Sequence, residues 1–177
     1  VADVWLGEDK KVSLIATESY ATGLHMDAVP KIKGTVTYKQ PLLAPVKEGD
    51  IVGLDIGMWY EGLATDMATT VIVGTIPDAV RTLVAETRAS LEVALTQVKA
   101  GKWIHDIGNA IDDYLTPKGY GIVRDLVGHG VGHAIHEDPQ IPHFRDRYAP
   151  RVKMQEGMVL AIEPMVTLGT WKVRVKR

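Results

Sequence analysis

The sequence predicts a single domain of the α/β (α+β) class spanning residues 1–177. Two β-branched, apolar runs separated by Glu61-Gly62 have the composition of a β-hairpin. Two stretches with apolar residues at helical spacing follow, and shorter β-prone runs come after them. With 46% hydrophobic residues, a chain of this length can bury a core without disulfide bonds.

The hairpin is predicted to consist of a buried strand at residues 50–58 and a return strand at residues 64–73. If the chain reverses near Glu61-Gly62, Asp55 and Asp66 come roughly opposite one another, and facing residues have Cβ atoms about 4.5 to 5.5 Å apart. Two carboxylates this close repel unless a proton or a cation lies between them. One aspartate alone more often caps a turn or faces solvent, so it is the pair that indicates a metal site.

Two helices are predicted next. The first begins near Pro77, which suits a first helical turn, and Gly101 has the position of a C-terminal cap. The second covers residues 103–116 and ends before Pro117. Its apolar stripe consists of Ile104, Ile107, Ile111 and Leu115.

The remaining segments are shorter. Strands are predicted at residues 119–123, 157–163 and 171–176, whereas residues 125–150 are rich in Gly, His and Pro and are predicted to be irregular loop. Residues 1–48 contain short β-prone pieces at residues 12–16 and 34–38, which alternate with Gly, Pro and Lys, and they show no sustained periodicity.

Composition excludes several classes of protein. The net charge is -2 and basic residues are scattered, so a nucleic-acid-binding surface is not expected. No apolar stretch approaches the roughly 20 residues that span a bilayer, so no membrane segment is expected. The chain has no cysteine, which excludes a thiolate nucleophile and a cysteine-ligated zinc ion. We expect a cytoplasmic monomer.

A histidine-rich run is the second candidate for chemistry. His129 lies between two glycines, which allow the backbone to approach a metal ion or substrate closely, and His133 and His136 follow within the same segment. The spacing is not His-Glu-x-x-His, which disfavours a zinc protease site on one helix. The alternative is that these are surface histidines of a loop. No catalytic role is expected for the other histidines: His25, His105 and His143.

Glu163 ends an apolar run that is typical of a buried strand. An ionised carboxylate there costs several kcal/mol unless it is paired or bound to metal. It therefore either binds a metal ion, which we favour, or pairs with an arginine such as Arg124 or Arg151.

These segments closely resemble the bacterial-like (type I) methionine aminopeptidases of the pita-bread metallopeptidases, and the resemblance covers residues 47–175. It implies a pita-bread (creatinase/aminopeptidase-like) fold, an antiparallel sheet flanked by helices, incomplete at both termini. The matching pieces are Glu48-Gly49-Asp50-Ile51-Val52, Leu54-Asp55, Thr65-Asp66, Gly128-His129-Gly130-Val131-Gly132, His136-Glu137-Asp138-Pro139, Glu156-Gly157-Met158 and Ile162-Glu163-Pro164-Met165.

The resemblance also implies a ligand set for two divalent ions, which can be cobalt, manganese, iron or zinc in this family. Asp55 would chelate one ion, Asp66 would bridge both, and His129 and Glu163 would bind the other. His136 would hydrogen-bond the scissile amide, with Ile135 beside it in the substrate site. A metal-bound hydroxide would attack the first peptide carbonyl, and Glu163 would carry the proton.

The substrate implied is the N-terminus of a nascent polypeptide, with transient ribosome contact. Two departures from the family pattern are present. A fifth ligand, a glutamate about thirty residues beyond Glu163, has no counterpart because the sequence ends at Arg177, so one ion, or none, and weak activity are expected. The family also has an upstream histidine where this chain has Thr37, and His25 is a weak substitute.

Two alternatives stay open at this point. An X-Pro dipeptidase or aminopeptidase P relative would cleave X-Pro bonds and leave methionine-alanine substrates intact. A non-catalytic binding module on the same scaffold would recognise peptides without metal, although it would have no physical need for clustered carboxylates.

Overall fold

The computed structural model describes residues 16–17, 20–22, 46–149 and 151–173. All strand pairs in this part of the chain are antiparallel, and they form sheets with the orders β1-β9-β5, β2-β8-β6-β7 and β3-β4. The elements in chain order are β1 (Ala16–Thr17), β2 (Tyr20–Thr22), β3 (Ile51–Tyr60), β4 (Leu63–Ile72), α1 (Asp78–Leu95), α2 (Ile104–Leu115), a 3₁₀ turn (Thr116–Lys118), β5 (Tyr120–Ile122), β6 (Gly128–Gly130), β7 (Glu137–Ile141), β8 (Leu160–Ile162) and β9 (Met165–Leu168).

The predicted hairpin is present as β3 and β4, and its turn uses Glu61 and Gly62, both with positive φ. Its register differs from the expectation. Asp55 faces Ala68, and Asp66 faces Gly57, so the two aspartates are diagonal neighbours on one face of the sheet. Diagonal Cβ atoms are about 7 to 8 Å apart, a distance that two carboxylate side chains can bridge.

The prediction that β3 is a buried strand is wrong. Only Ile51 is buried, and Asp55 is exposed, because within the described residues β3 has β4 as its single neighbouring strand. The opposite face of the hairpin carries exposed apolar side chains. On the face that bears the aspartates only the β4 side is covered, and Asp66 is buried there with Ala64 and Ala68.

Both predicted helices are present. The first ends at Leu95 with Thr96 as its C-cap, earlier than Gly101 indicated, because the Gly101 amide donates to the carbonyl of Met154 and belongs to a turn beyond the helix. The second matches its prediction, and all four residues of its apolar stripe are fully buried. Among the described residues no helix has the length and apolarity needed to cross a bilayer.

The main core lies between the two helices and the strands. Leu83 and Leu91 of α1 pack with the α2 stripe and with Leu160 and Ile162 of β8. Gly108 lets α2 lie close to the segment after β7, since a Cβ there would collide with the carbonyl oxygens of Pro142 and Phe144. The helices thus hold β8 and the end of β7 in place.

Three further expectations change. Residues 125–150 are not all loop, since β6 and β7 form there and pair with each other. The strand expected at residues 157–163 is confined to Leu160–Ile162. No strand forms at residues 171–173, and the rest of that predicted strand lies outside the described residues, as do His25 and Thr37.

Candidate metal centre

Four segments bring the predicted site residues together. Asp55 and Asp66 lie on β3 and β4, His129 lies on β6, and Glu163 follows β8 directly. In the sheet register His129 faces Ala161, two residues before Glu163. The hairpin is joined to this sheet by the Ala64 amide, which donates to the Gly132 carbonyl at 2.7 Å.

Gly128 sets the distance between β6 and β8. A side chain at this position would collide with the Ala161 carbonyl oxygen, so only glycine allows the strands to lie this close. The glycines around His129 were expected to let the backbone approach a metal ion or substrate. In the structure Gly128 instead lets one strand approach another, which brings His129 near Glu163.

The imidazole of His129 is buried, and both of its nitrogens have defined neighbours. Nδ1 lies 2.9 Å from the Gly130 carbonyl oxygen, to which it donates. Nε2 lies 3.3 Å from Asp66 Oδ2 and 3.1 Å from Glu163 Oε1. With Nδ1 protonated, a neutral ring presents the lone pair of Nε2 to two carboxylate oxygens. Three acceptors then converge on one point.

Such a convergence requires a cation. In the described chain Glu163 Oε1 is buried and receives no hydrogen bond while His129 is neutral. A proton on Nε2 is one solution: burial alone would lower the pKa of His129, but the carboxylates of Asp66 and Glu163 outweigh it and raise the pKa to about 10. A divalent ion is the other solution, and it supplies twice the charge.

The two aspartates respond differently to this environment. Asp55 is exposed as a residue, but its carboxyl group is partly shielded from water; this shielding, followed by the charges of Asp66 and Glu163, raises the pKa of Asp55 to about 6. Burial also acts to raise the pKa of Asp66, but His129 and a hydrogen bond with Asp55 outweigh it, and the pKa is lowered. Asp66 is therefore the carboxylate that stays ionised, as a metal ligand must.

The donor set suits an ion that accepts oxygen and nitrogen ligands. Ligand atoms of Asp66, His129 and His136 all lie within 4.8 Å of one another. Two of these three were predicted as ligands. His136 was predicted as a substrate contact, and its ring meets that of His129 edge to face with centroids 4.4 Å apart. The fourth predicted ligand, Glu163, contacts His129 directly.

The predicted substrate residues lie at the open side of the centre. His136 is exposed, as is His133. Ile135 is half-buried and packs with Ala64, Val131 and Ala161. Its Cδ1 atom would be 3.5 Å from a Cβ placed on Gly57, the residue that faces Asp66. The apolar side chain of Ile135 therefore lies beside the carboxylates.

One functional group was not identified from the sequence. His129 needs an acceptor for its second ring nitrogen, and the structure supplies it as the Gly130 carbonyl oxygen. A backbone acceptor leaves no side-chain signal in a sequence. It becomes visible only when the strand and the ring orientation are known.

Metal binding is expected to release protons and to strengthen as pH rises. In the metal-free protein His129 keeps its proton up to about pH 10 and Asp55 up to about pH 6, so an arriving ion displaces them. Calorimetric titration with Mn²⁺ in buffers of different ionisation enthalpy should show about one proton released near pH ~8 and closer to two near pH ~5. His129→Gln should remove the proton released near pH ~8, and an affinity independent of pH would contradict this assignment.

Known proteins are similar to this chain in both sequence and fold. The model of metallopeptidase family M24 matches residues 15–176. A methionine aminopeptidase of Borreliella burgdorferi is 39% identical over 181 residues, covering 94% of this chain and 71% of the relative. Methionine aminopeptidase 1 of Bacillus subtilis is 44% identical over 130 residues, covering 73% of this chain and 52% of the relative.

A solved structure of another methionine aminopeptidase is also similar to this chain. The methionine aminopeptidase of Thermotoga maritima superposes with a TM-score of 0.70 at 45% sequence identity, covering 74% of this chain and 52% of that one. This chain thus spans about half the length of the Bacillus and Thermotoga proteins. The expectation of a pita-bread fold with antiparallel sheets and helices is confirmed.

Proposed function

Because the chain belongs to metallopeptidase family M24, we propose that it is a metal-dependent aminopeptidase that removes N-terminal methionine from polypeptides. The observation that carries the proposal is the convergence of His129 Nε2 with carboxylate oxygens of Asp66 and Glu163 in a buried position. Such a cluster needs a cation, and a peptide-binding module without metal has no need of it. The names of the relatives support the choice of methionine.

The proposed ligands are Asp55, Asp66, His129 and Glu163. When bound, divalent ions supply Lewis-acid chemistry that polarises the peptide carbonyl and makes water a nucleophile at neutral pH. The oxygen and nitrogen donors fit cobalt, manganese, iron or zinc. Asp66 contacts both His129 and Asp55, so its carboxylate would help to hold an ion beside either of them.

The other residues orient the substrate and move protons. The exposed His136, beside His129, donates a hydrogen bond to the scissile amide and stabilises the developing negative charge. Glu163 has one buried oxygen toward His129, and its carboxylate accepts the proton that must pass to the leaving amine. Ile135 borders the site and gives the methionine side chain an apolar surface.

The proposed substrate also indicates where the protein acts and which partner it contacts. Aminopeptidase relatives imply peptide substrates, and a new polypeptide is the source of N-terminal methionine. The proposal therefore places the protein in the cytoplasm as a monomer that makes transient contact with the ribosome.

The proposal is tested by substrate selectivity. When it is supplied with Mn²⁺ or Co²⁺, the 177-residue chain should release methionine from Met-Ala-Ser at a low rate and should not cleave an Ala-Pro dipeptide. Removal of the ion with a chelator should stop the reaction, and re-addition should restore it. Cleavage of Ala-Pro alone would favour the X-Pro peptidase alternative, and binding of Met-Ala-Ser without any cleavage would favour a binding module.

A further inference from the structure

His143 is fully buried, although no role was expected for it. It lies two residues after β7, in the segment that α2 packs against through Gly108. Arg145, two residues further along the chain, is fixed to the same helix, since its amide donates to Asp112 Oδ2 at 2.8 Å. The position of the His143 ring is therefore set by α2.

The ring of His143 contacts both segments that carry the histidine and glutamate of the metal centre. Its Nε2 atom accepts a hydrogen bond from the backbone amide of Glu163 at 3.1 Å. The same atom would be 3.0 Å from a Cβ on Gly128, so the ring packs against the backbone immediately before His129. One side chain thus touches the chain at Glu163 and next to His129.

The hydrogen bond also fixes the tautomer of His143. Because Nε2 accepts, the proton is on Nδ1, and this atom is buried without a hydrogen-bond partner among the described residues. A leucine would fill a similar volume without burying an unpaired donor. As a core residue the imidazole is therefore less favourable than a leucine. Its hydrogen bond from the Glu163 amide is the contact that a leucine could not make.

We propose that His143 is a positioning residue of the metal centre, which holds the Glu163 backbone so that its carboxylate meets His129. The residue itself contacts neither the substrate nor the ion; it acts through the ligand that it orients. This inference rests on the proposed function, because it assigns Glu163 to the metal centre.

The test compares two variants of the whole chain. His143→Gln keeps an acceptor, since its Oε1 atom can occupy the place of Nε2, whereas His143→Leu removes the acceptor and keeps the volume. Mn²⁺ affinity measured by calorimetry should fall about 10- to 100-fold in the leucine variant and stay near that of the parent in the glutamine variant. If the leucine variant does not fold, His143→Asn serves instead, because its shorter amide cannot reach the Glu163 amide.

A second readout needs no metal. Hydrogen exchange of the Glu163 amide, followed by NMR in the metal-free protein, should accelerate in the leucine variant and remain slow in the glutamine variant. A fully buried leucine of α1 supplies the control: Leu83→Ala should lower thermal stability and leave the Mn²⁺ affinity unchanged.

The outcomes separate the two proposals. Unchanged Mn²⁺ affinity with a protected Glu163 amide in the leucine variant would overturn the role of His143. Equal losses of Mn²⁺ affinity in the leucine and glutamine variants, in proportion to their losses of thermal stability, would also overturn it. If the parent protein itself binds no Mn²⁺, the proposed function fails, and the amide exchange still decides whether His143 positions Glu163.

Discussion

Asp66→Ala is expected to abolish methionine release, with kcat/KM lowered by about 10³-fold or more, because a metal centre supplies several kcal/mol of transition-state stabilisation. Asp66 is buried, approaches His129 Nε2 at 3.3 Å and shares a hydrogen bond with Asp55. Its loss therefore removes the group that links the histidine to the second aspartate. The measurement is methionine release from Met-Ala-Ser at saturating Mn²⁺.

The control for this variant is another carboxylate outside the centre. Glu92 lies exposed on α1, and Glu92→Gln should retain the activity of the parent protein. The metal-free Asp66→Ala protein should remain folded, because Asp66 is not part of the main core between the two helices and the strands. Full turnover by Asp66→Ala would exclude the metal mechanism, whichever ion is supplied.

The sequence predicted those elements whose signal is local. Glu61-Gly62 between two β-branched runs defines a hairpin, and the structure has its turn at these residues. The apolar stripe of α2 has one residue per turn at helical spacing, and each of its members is buried. In both cases the pattern lies within one element, so no knowledge of the tertiary contacts is required.

Features that depend on contacts between segments were predicted less well. The register of β3 and β4 places Asp55 and Asp66 diagonally, and the identity of the two residues alone could not distinguish this from a facing pair. β6 was expected to be loop because residues 125–150 are rich in Gly, His and Pro. It forms nevertheless, since Gly128 fits where the adjacent strand is too close for any side chain.

The candidate site also contains residues that the sequence predicted and contacts between segments that it did not predict. Asp66 was chosen as one of a close pair of carboxylates, His129 from its histidine-rich run, and Glu163 from the cost of burying its carboxylate, and the structure brings these three together. The groups around them were not predicted. The Gly130 carbonyl has no side chain to identify it, and His143 follows a strand in a stretch whose local pattern gives no reason to place it beneath Glu163.

His136→Ala is expected to lower kcat for methionine release by about 10²- to 10³-fold and to leave Mn²⁺ affinity unchanged. A hydrogen-bond donor aimed at charge that develops in the transition state has an effect of this size when it is removed. His136 is exposed and lies edge to face with His129, so it can reach a substrate that approaches from solvent. The two measurements are kcat with Met-Ala-Ser and calorimetric titration with Mn²⁺.

These measurements also distinguish two roles that the geometry allows. The ligand atoms of His136, Asp66 and His129 lie within 4.8 Å of one another, so His136 could instead bind the ion. In that case His136→Ala would weaken Mn²⁺ binding together with activity. His133→Ala is the matched control, because His133 is an exposed histidine of the same segment, and it should change neither quantity. Loss of turnover with intact Mn²⁺ binding would assign His136 to the substrate, since a residue that acts only on the transition state leaves the affinity for the ion unaltered.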